Sequence, residues 1–134
     1  MTITDLQVMQ SQQEGRVSVT VFELAGELDS SNVERFQAEA QQAIDTGTRY
    51  VLLDLSRLTY ISSGGLRALF KLAKALSAKD GTQSGSHVSK TGSFKSPYLK
   101  LLDPTPYVRQ LLDGMGFTMS IEIYNDRDAA MASF

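Results

Sequence analysis

The fold is decided by residues 50–78, which read YVLLDLSRLTYISSGGLRALFKLAKALSA. Residues 50–55 are almost continuously apolar, which is the pattern of a strand covered on both faces, as in a sheet with helix crossovers. After the turn Ser62-Ser63-Gly64-Gly65, leucines and alanines recur at helical spacing through Ala78. The segment therefore predicts a central strand that leads through a serine-glycine turn into a helix.

The residues before this segment predict another strand and another helix. Within residues 17–24, valines at positions 17, 19 and 21 have the period of a strand. Ser30 and Ser31 are candidate caps of the helix that follows, and Glu34 stands three residues after Ser31, as in a capping box. Gly47 is expected to end this helix. The first 16 residues are assigned no element.

The residues after this segment begin with a long polar stretch at 79–97, which contains three glycines and five serines. Such a composition is typical of a loop, and loops of this length are uncommon inside a compact domain. We therefore predict a loop over 79–97, within which residues 81–96 form a surface insertion whose removal leaves folding intact.

The last third of the chain repeats the alternation of strand and helix. Residues 98–102 and 121–124 predict strands, Thr105 is expected to cap a helix that begins at Pro106, and Asn125 or Asp126 is expected to cap a terminal helix. The alternation predicts one α/β domain over residues 1–134, with a mixed central sheet of four to five strands and about four helices.

Composition narrows the classes of function. The formal charge of −2 and the absence of a Lys/Arg cluster argue against nucleic acid and anionic membranes as partners. There is no cysteine, and the single histidine, His87, has no carboxylate or second histidine at a metal-like spacing, so no metal or cofactor is expected. No segment has the apolar length of a membrane helix or the pattern of a signal peptide, so a cytoplasmic protein is expected.

The serine-glycine turn is the candidate functional site. A serine at a strand-to-helix turn lies near the exposed N–H groups of the first helical turn, where the helix dipole favours an anion such as a phosphate. Gly64 and Gly65 lack a Cβ and are expected to let another backbone approach the serine closely. The alternative is that Ser62 or Ser63 is only the N-cap of the helix.

Catalysis and nucleotide hydrolysis are less well supported at this turn. A nucleophilic serine elbow has the pattern Gly-x-Ser-x-Gly and requires a histidine, whereas Ile61 stands two residues before Ser63 and His87 lies in the polar stretch. The chain also lacks Gly-Lys-Ser/Thr and Gly-x-Gly-x-x-Gly phosphate loops. No catalytic residue is therefore assigned.

Two blocks of sequence, FELAGELD at 22–29 and DLSRLTYISSGGLR at 54–67, resemble the STAS domain and, within it, the bacterial anti-sigma factor antagonists. A weaker third block covers residues 99–117. In that family the second block typically reads Asp-Ser-Ser/Thr-Gly-Leu, and the serine after the aspartate is phosphorylated. Aligned on residues 65–66, the resemblance implies that Ser63 is the phosphorylation site, that Ser62 replaces the aspartate and that Gly64 replaces the second Ser/Thr. Asp29 resembles the family's acidic residue near that site.

The resemblance also implies a mechanism in transcription regulation. The unphosphorylated protein is expected to bind a partner that is both a serine kinase and an anti-sigma factor, of the histidine-kinase-like ATPase type. Phosphorylation is expected to release the protein from this partner. A metal-dependent serine phosphatase is expected to remove the phosphate and so reset the switch. Two alternatives remain: a STAS scaffold that is not phosphorylated, and a nucleotide-binding module. The expected partner-binding residues are Asp29, Ser30, Ser62, Ser63, Gly64, Gly65 and Arg67.

Overall fold

The computed structural model describes residues 6–79 and 96–134, in which five strands form one sheet with four α-helices packed against it. The strands lie side by side in chain order, β1 antiparallel to β2 and all later neighbours parallel. This confirms the predicted α/β fold with a mixed sheet. The strands are β1 (Gln7–Glu14), β2 (Ser18–Leu28), β3 (Tyr50–Ile61), β4 (Leu99–Leu102) and β5 (Glu122–Tyr124). The helices are α1 (Val33–Asp45), α2 (Ser63–Lys79), α3 (Pro106–Gly114) and α4 (Arg127–Ser133).

Strand β3 is the third of the five strands and is covered on both faces, as its apolar run predicts. Leu53 packs into the larger core with residues of α1, α2 and α3. Leu52 packs into a smaller core with Ala130 of α4. The sheet is therefore the middle layer, with α1, α2 and α3 on one face and α4 on the other.

Strand β1 was not predicted from the sequence. Its eight residues, QVMQSQQE, are mostly exposed and contain a single β-branched residue, Val8. They pair antiparallel with β2 from Gln7 opposite Ala25 to Glu14 opposite Ser18. Because pairing with a neighbouring strand determines this element, its own composition gives almost no signal.

The predicted capping box at the start of α1 is wrong. The N-cap position is Asn32, and no side chain caps the helix. The Ser31 hydroxyl instead donates to the Asp29 carboxylate at 2.6 Å, and Glu34 lies in the first turn of the helix. The expected end is confirmed, since α1 stops at Asp45 and Gly47 has a φ of +119°, which glycine adopts readily.

The predicted start signals of the later helices are confirmed. The Thr105 hydroxyl accepts from the N–H of Val108 at the start of α3. Of the two candidates for α4, Asp126 is the cap, and its carboxylate accepts from the N–H of Ala129 at 2.9 Å. Each cap satisfies an N–H that has no partner within its helix.

Of the predicted loop at 79–97, residues 80–95 lie outside the described residues, so the surface insertion stays a prediction there. Ser96, the last residue assigned to that insertion, is buried rather than on the surface. Its N–H donates to the carbonyl of Ser120 at 2.9 Å, and its hydroxyl accepts from the N–H groups of Tyr98 and Leu99. Ser96 therefore belongs to the packed fold, and the prediction was wrong at this residue.

Candidate functional site

The candidate site lies at the carboxyl ends of two neighbouring parallel strands. Leu28 ends β2, Ile61 ends β3, and the two residues are register partners. The N–H of Ser62 donates to the carbonyl of Leu28 at 2.9 Å, which extends the pairing by one residue. Asp29 and the serine-glycine turn therefore leave the sheet side by side at the same edge.

The Ser62 hydroxyl caps helix α2. It accepts from the N–H of Gly65 at 3.1 Å, and the Ser62 carbonyl accepts from the N–H of Leu66 at 2.9 Å. The side chain is half-buried and held in place by this bond. The capping role that the sequence left open between two serines belongs to Ser62.

Ser63 is the first residue of α2 and is exposed to solvent. Its hydroxyl has no hydrogen-bond partner among residues 6–79 and 96–134. In helix geometry the N–H groups of the first two residues have no acceptor within the helix, so those of Ser63 and Gly64 remain available to an anion. The positive end of the helix dipole adds to this preference.

The two glycines have different surroundings. A Cβ on Gly65 would lie 2.8 Å from Ile61 Cγ1 and 3.1 Å from the carbonyl oxygen of Leu28, so only glycine fits there without displacing the end of β2. A Cβ on Gly64 would meet only Ser62 Oγ at 3.7 Å and Arg67 Nη2 at 3.8 Å, which are ordinary contacts. The close backbone approach expected at both glycines is thus made at Gly65, by Leu28 of the same chain.

The remaining predicted residues surround the turn. The Asp29 carboxylate is half-buried and accepts from both the N–H and the hydroxyl of Ser31, which holds its position. Ser30 is exposed beside it. Arg67 is exposed one helical turn after Ser63, with its guanidinium beside Gly64. An acidic group, an exposed serine hydroxyl and a basic group therefore occur together at this end of the sheet.

A pair of tyrosines that the sequence reasoning did not single out lies near this edge. The rings of Tyr60 and Tyr107 stack with centroids 6.1 Å apart, although the two residues are 37% and 47% exposed. The Thr105 hydroxyl, which donates to the carbonyl of Leu58 at 3.0 Å, fixes the start of α3 against β3. Because the two tyrosines come together only through the fold, no local pattern could have identified the pair.

The charged groups of the described ranges form no cluster of three or more metal-ligating side chains. The single histidine, His87, lies outside those ranges. None of the helices that the structure describes has the length and apolar character needed to cross a membrane.

Comparison with known sequences defines the class of protein. The STAS domain model matches residues 9–83, and the chain therefore belongs to the STAS domain family. A curated relative is BtrV of Bordetella bronchiseptica, a candidate anti-sigma factor antagonist. It is 36% identical over 111 residues, which cover 83% of this chain and 82% of the relative. The resemblance predicted from the two sequence blocks is confirmed.

Solved structures share the fold. An anti-sigma factor antagonist from Mycobacterium paratuberculosis superposes with a TM-score of 0.73 at 15% identity, covering 98% of this chain and 96% of that one. The phosphorylated form of the Bacillus cell fate determinant SpoIIAA gives a TM-score of 0.59 at 21% identity, over 91% and 96% of the two chains. The chain therefore has the same fold as these antagonists.

Proposed function

We propose that this protein is a phosphorylation-controlled binding protein of the anti-sigma factor antagonist type rather than an enzyme. The observation that carries the proposal is the contrast between two adjacent serines. The Ser62 hydroxyl is engaged as the cap of α2, whereas the Ser63 hydroxyl is exposed and unbonded within the described residues. A kinase can reach Ser63 without breaking a bond that the fold requires.

A phosphate on Ser63 changes the electrostatics of this surface strongly. It adds a charge of roughly −1.5 to −2 at neutral pH beside Asp29, whose carboxylate is held at the same edge. A partner that contacts this edge when it is unphosphorylated then meets like-charge repulsion and must desolvate the phosphate. Phosphorylation therefore weakens that complex.

The surroundings of Ser63 also stabilise a phosphate on the free protein. Arg67 lies four residues further along the same helix, a spacing at which opposite charges interact. The N–H groups at the start of α2 add to this stabilisation. When the phosphate pairs with Arg67 of the same chain, the Arg67 guanidinium is less available to a partner.

The partner that fits best is a serine kinase and anti-sigma factor of the histidine-kinase-like ATPase type, which binds the unphosphorylated protein and phosphorylates it. The similarity to BtrV, a candidate anti-sigma factor antagonist, supports an anti-sigma factor as the partner. The kinase type is proposed from the family resemblance of the serine turn. A metal-dependent serine phosphatase resets the switch, and all three proteins act in the cytoplasm. The interface comprises Asp29, Ser30, Ser62, Ser63, Gly64 and Arg67. Gly65 belongs to the same site and allows the turn to pack against Leu28.

The choice of hydroxyl is tested by incubating the protein with its cognate kinase and ATP and mapping the product by mass spectrometry. We expect one phosphate on Ser63, retained in Ser62→Ala and absent from Ser63→Ala. Ser62→Ala costs about 1 kcal/mol of stability because it removes a helix cap, so the assay is run well below its melting temperature. Phosphate on Ser62, or none on either serine, would contradict the proposal.

A second candidate function is a STAS scaffold that binds partners without phosphorylation. It is favoured by Ser62, which stands where the family pattern has an aspartate beside the acceptor. In that case Ser63→Ala and Ser63→Asp bind the partner as the wild-type protein does. In a phosphorylation switch, only Ser63→Ala does so.

A further inference from the structure

A groove runs between helix α2 and the residues that follow α3. It encloses about 520 Å³, and its walls include Phe70 on one side and Met115 and Phe117 on the other. The rings of Phe70 and Phe117 meet edge to face at 5.9 Å. Although these contacts are apolar, Phe70 remains 42% exposed and Met115 58% exposed. We call this feature the α2 groove.

The α2 groove carries charge of one sign. Arg67, Lys71 and Lys74 line it, and among the described residues no acidic side chain does. None of the three cations has an ion pair within the described residues, although the ammonium of Lys74 lies 5.5 Å from the centroid of the Phe70 ring. This is a local excess of three positive charges on a chain whose net charge is −2.

The combination of apolar walls and unpaired cations defines the chemistry of the occupant. Exposed aromatic and methionine side chains are enriched at protein interfaces, and methionine adapts to varied apolar surfaces. A row of cations at i, i+4 and i+7 along one helix face complements a row of carboxylates on an elongated ligand. We propose that the α2 groove binds an acidic amphipathic helix of a partner protein.

In this arrangement the apolar side chains of the partner helix enter between Phe70 and Met115, and its carboxylates pair with Lys71 and Lys74. Arg67 lies at the end of the groove nearest to Gly64, so the α2 groove continues from the phosphorylation site along the same helix. The inference does not depend on phosphorylation of Ser63. It adds a second contact surface, in which Lys71 and Lys74 are available to a partner in either phosphorylation state.

The proposal is tested on the full chain with two synthetic amphipathic peptides of about four helical turns. The first peptide carries leucine and phenylalanine on one face and glutamates beside them, and the second has every glutamate replaced by lysine. Amide chemical shifts are recorded on isotope-labelled protein, and affinity is measured by fluorescence anisotropy. We expect the glutamate peptide to shift amides in residues 66–74 and 115–120, to bind more weakly as salt is raised, and to outbind the lysine peptide.

Two substitutions in the α2 groove have matched controls elsewhere. Phe70→Ala and Lys71→Glu are each expected to weaken binding of the glutamate peptide by about tenfold or more. Met9→Ala, at an exposed apolar residue of β1, and Arg16→Glu, at an exposed cation, are expected to leave it unchanged. Phe70 is partly exposed but its ring contacts Phe117 of the larger core, so a thermal melt of Phe70→Ala checks that this variant is folded at the temperature of the binding assay.

Three results would overturn the proposal. The first is equal binding of the two peptides, and the second is wild-type affinity in Phe70→Ala. The third is self-association in sedimentation that Phe70→Ala abolishes, because the occupant would then be a second copy of this chain.

Discussion

At the scale of single residues, each of positions 62–65 has a different structural role in one short turn. The Ser62 hydroxyl caps the start of α2, whereas the Ser63 hydroxyl has no hydrogen bond within the part of the chain that the structure describes. Gly65 allows the turn to pack directly against Leu28. Gly64 has no comparable steric requirement. The turn therefore holds an accessible serine on a backbone that is fixed by its neighbours.

The two glycines give a prediction that separates their roles. Gly65→Ala is expected to lower the free energy of unfolding by about 1 to 3 kcal/mol, because the new methyl group would overlap Ile61 and the carbonyl of Leu28. Gly64→Ala is expected to raise it by about 0.5 to 1 kcal/mol, since alanine has the better helix propensity and the new methyl group would make only ordinary contacts. Urea denaturation measures both. Equal effects of the two substitutions would contradict the described packing of the turn.

At the scale of elements, the corner between β2 and α1 positions the acidic side of the site. Asn32 is only 4% exposed, and its amide accepts from the N–H of Asp29 at 3.0 Å and donates to the carbonyl of Glu27 at 2.8 Å. A single side chain thus ties the end of β2 to the start of α1. The orientation of Asp29 beside the serine turn depends on this tie.

Removing the two hydrogen bonds of the Asn32 side chain is expected to lower the stability of the protein. Asn32→Ala is expected to destabilise the protein by about 1 to 3 kcal/mol, because it removes the hydrogen-bond partner of two partly buried backbone groups, the carbonyl of Glu27 and the N–H of Asp29. It is also expected to speed amide hydrogen exchange at residues 29–33. Ser31→Ala, at an exposed neighbour, is the control and should cost less than about 1 kcal/mol. Exchange rates unchanged in Asn32→Ala would show that the corner is held by other contacts.

At the scale of the whole molecule, the proposed switch acts on the surface and leaves the core in place. Ser63 is exposed, whereas Gly65 and Leu66 directly after it are buried against the sheet. On the opposite face, α4 is fixed by Arg127, whose guanidinium lies 3.2 Å from the Asp54 carboxylate and 3.4 Å from that of Glu23. A phosphate at Ser63 therefore changes charge at one edge of a sheet that is packed on both faces.

The elements of the fold differ in how well the sequence predicts them. Strand β3 and helix α2 were predictable because a long apolar run and a helical repeat are strong local signals. Strand β1 was missed because it depends on its pairing with β2 rather than on its own composition. The cap position at Asn32 was missed because Ser30, Ser31 and Asn32 are all residue types that favour the N-cap, so composition alone does not choose between them. The serine turn was predicted as the site, and the family resemblance selected Ser63 over Ser62. Local sequence left the helix cap open between the two serines, and the hydrogen bond from the N–H of Gly65 assigns it to Ser62.

The central claim is that a phosphate on Ser63 controls partner binding. Calorimetric titration of the cognate kinase with fully unphosphorylated protein and with protein phosphorylated only on Ser63 measures this directly. We expect phosphorylation to raise the Kd by about two to three orders of magnitude, which corresponds to about 3 to 4 kcal/mol. Equal Kd values for the two forms would contradict the account.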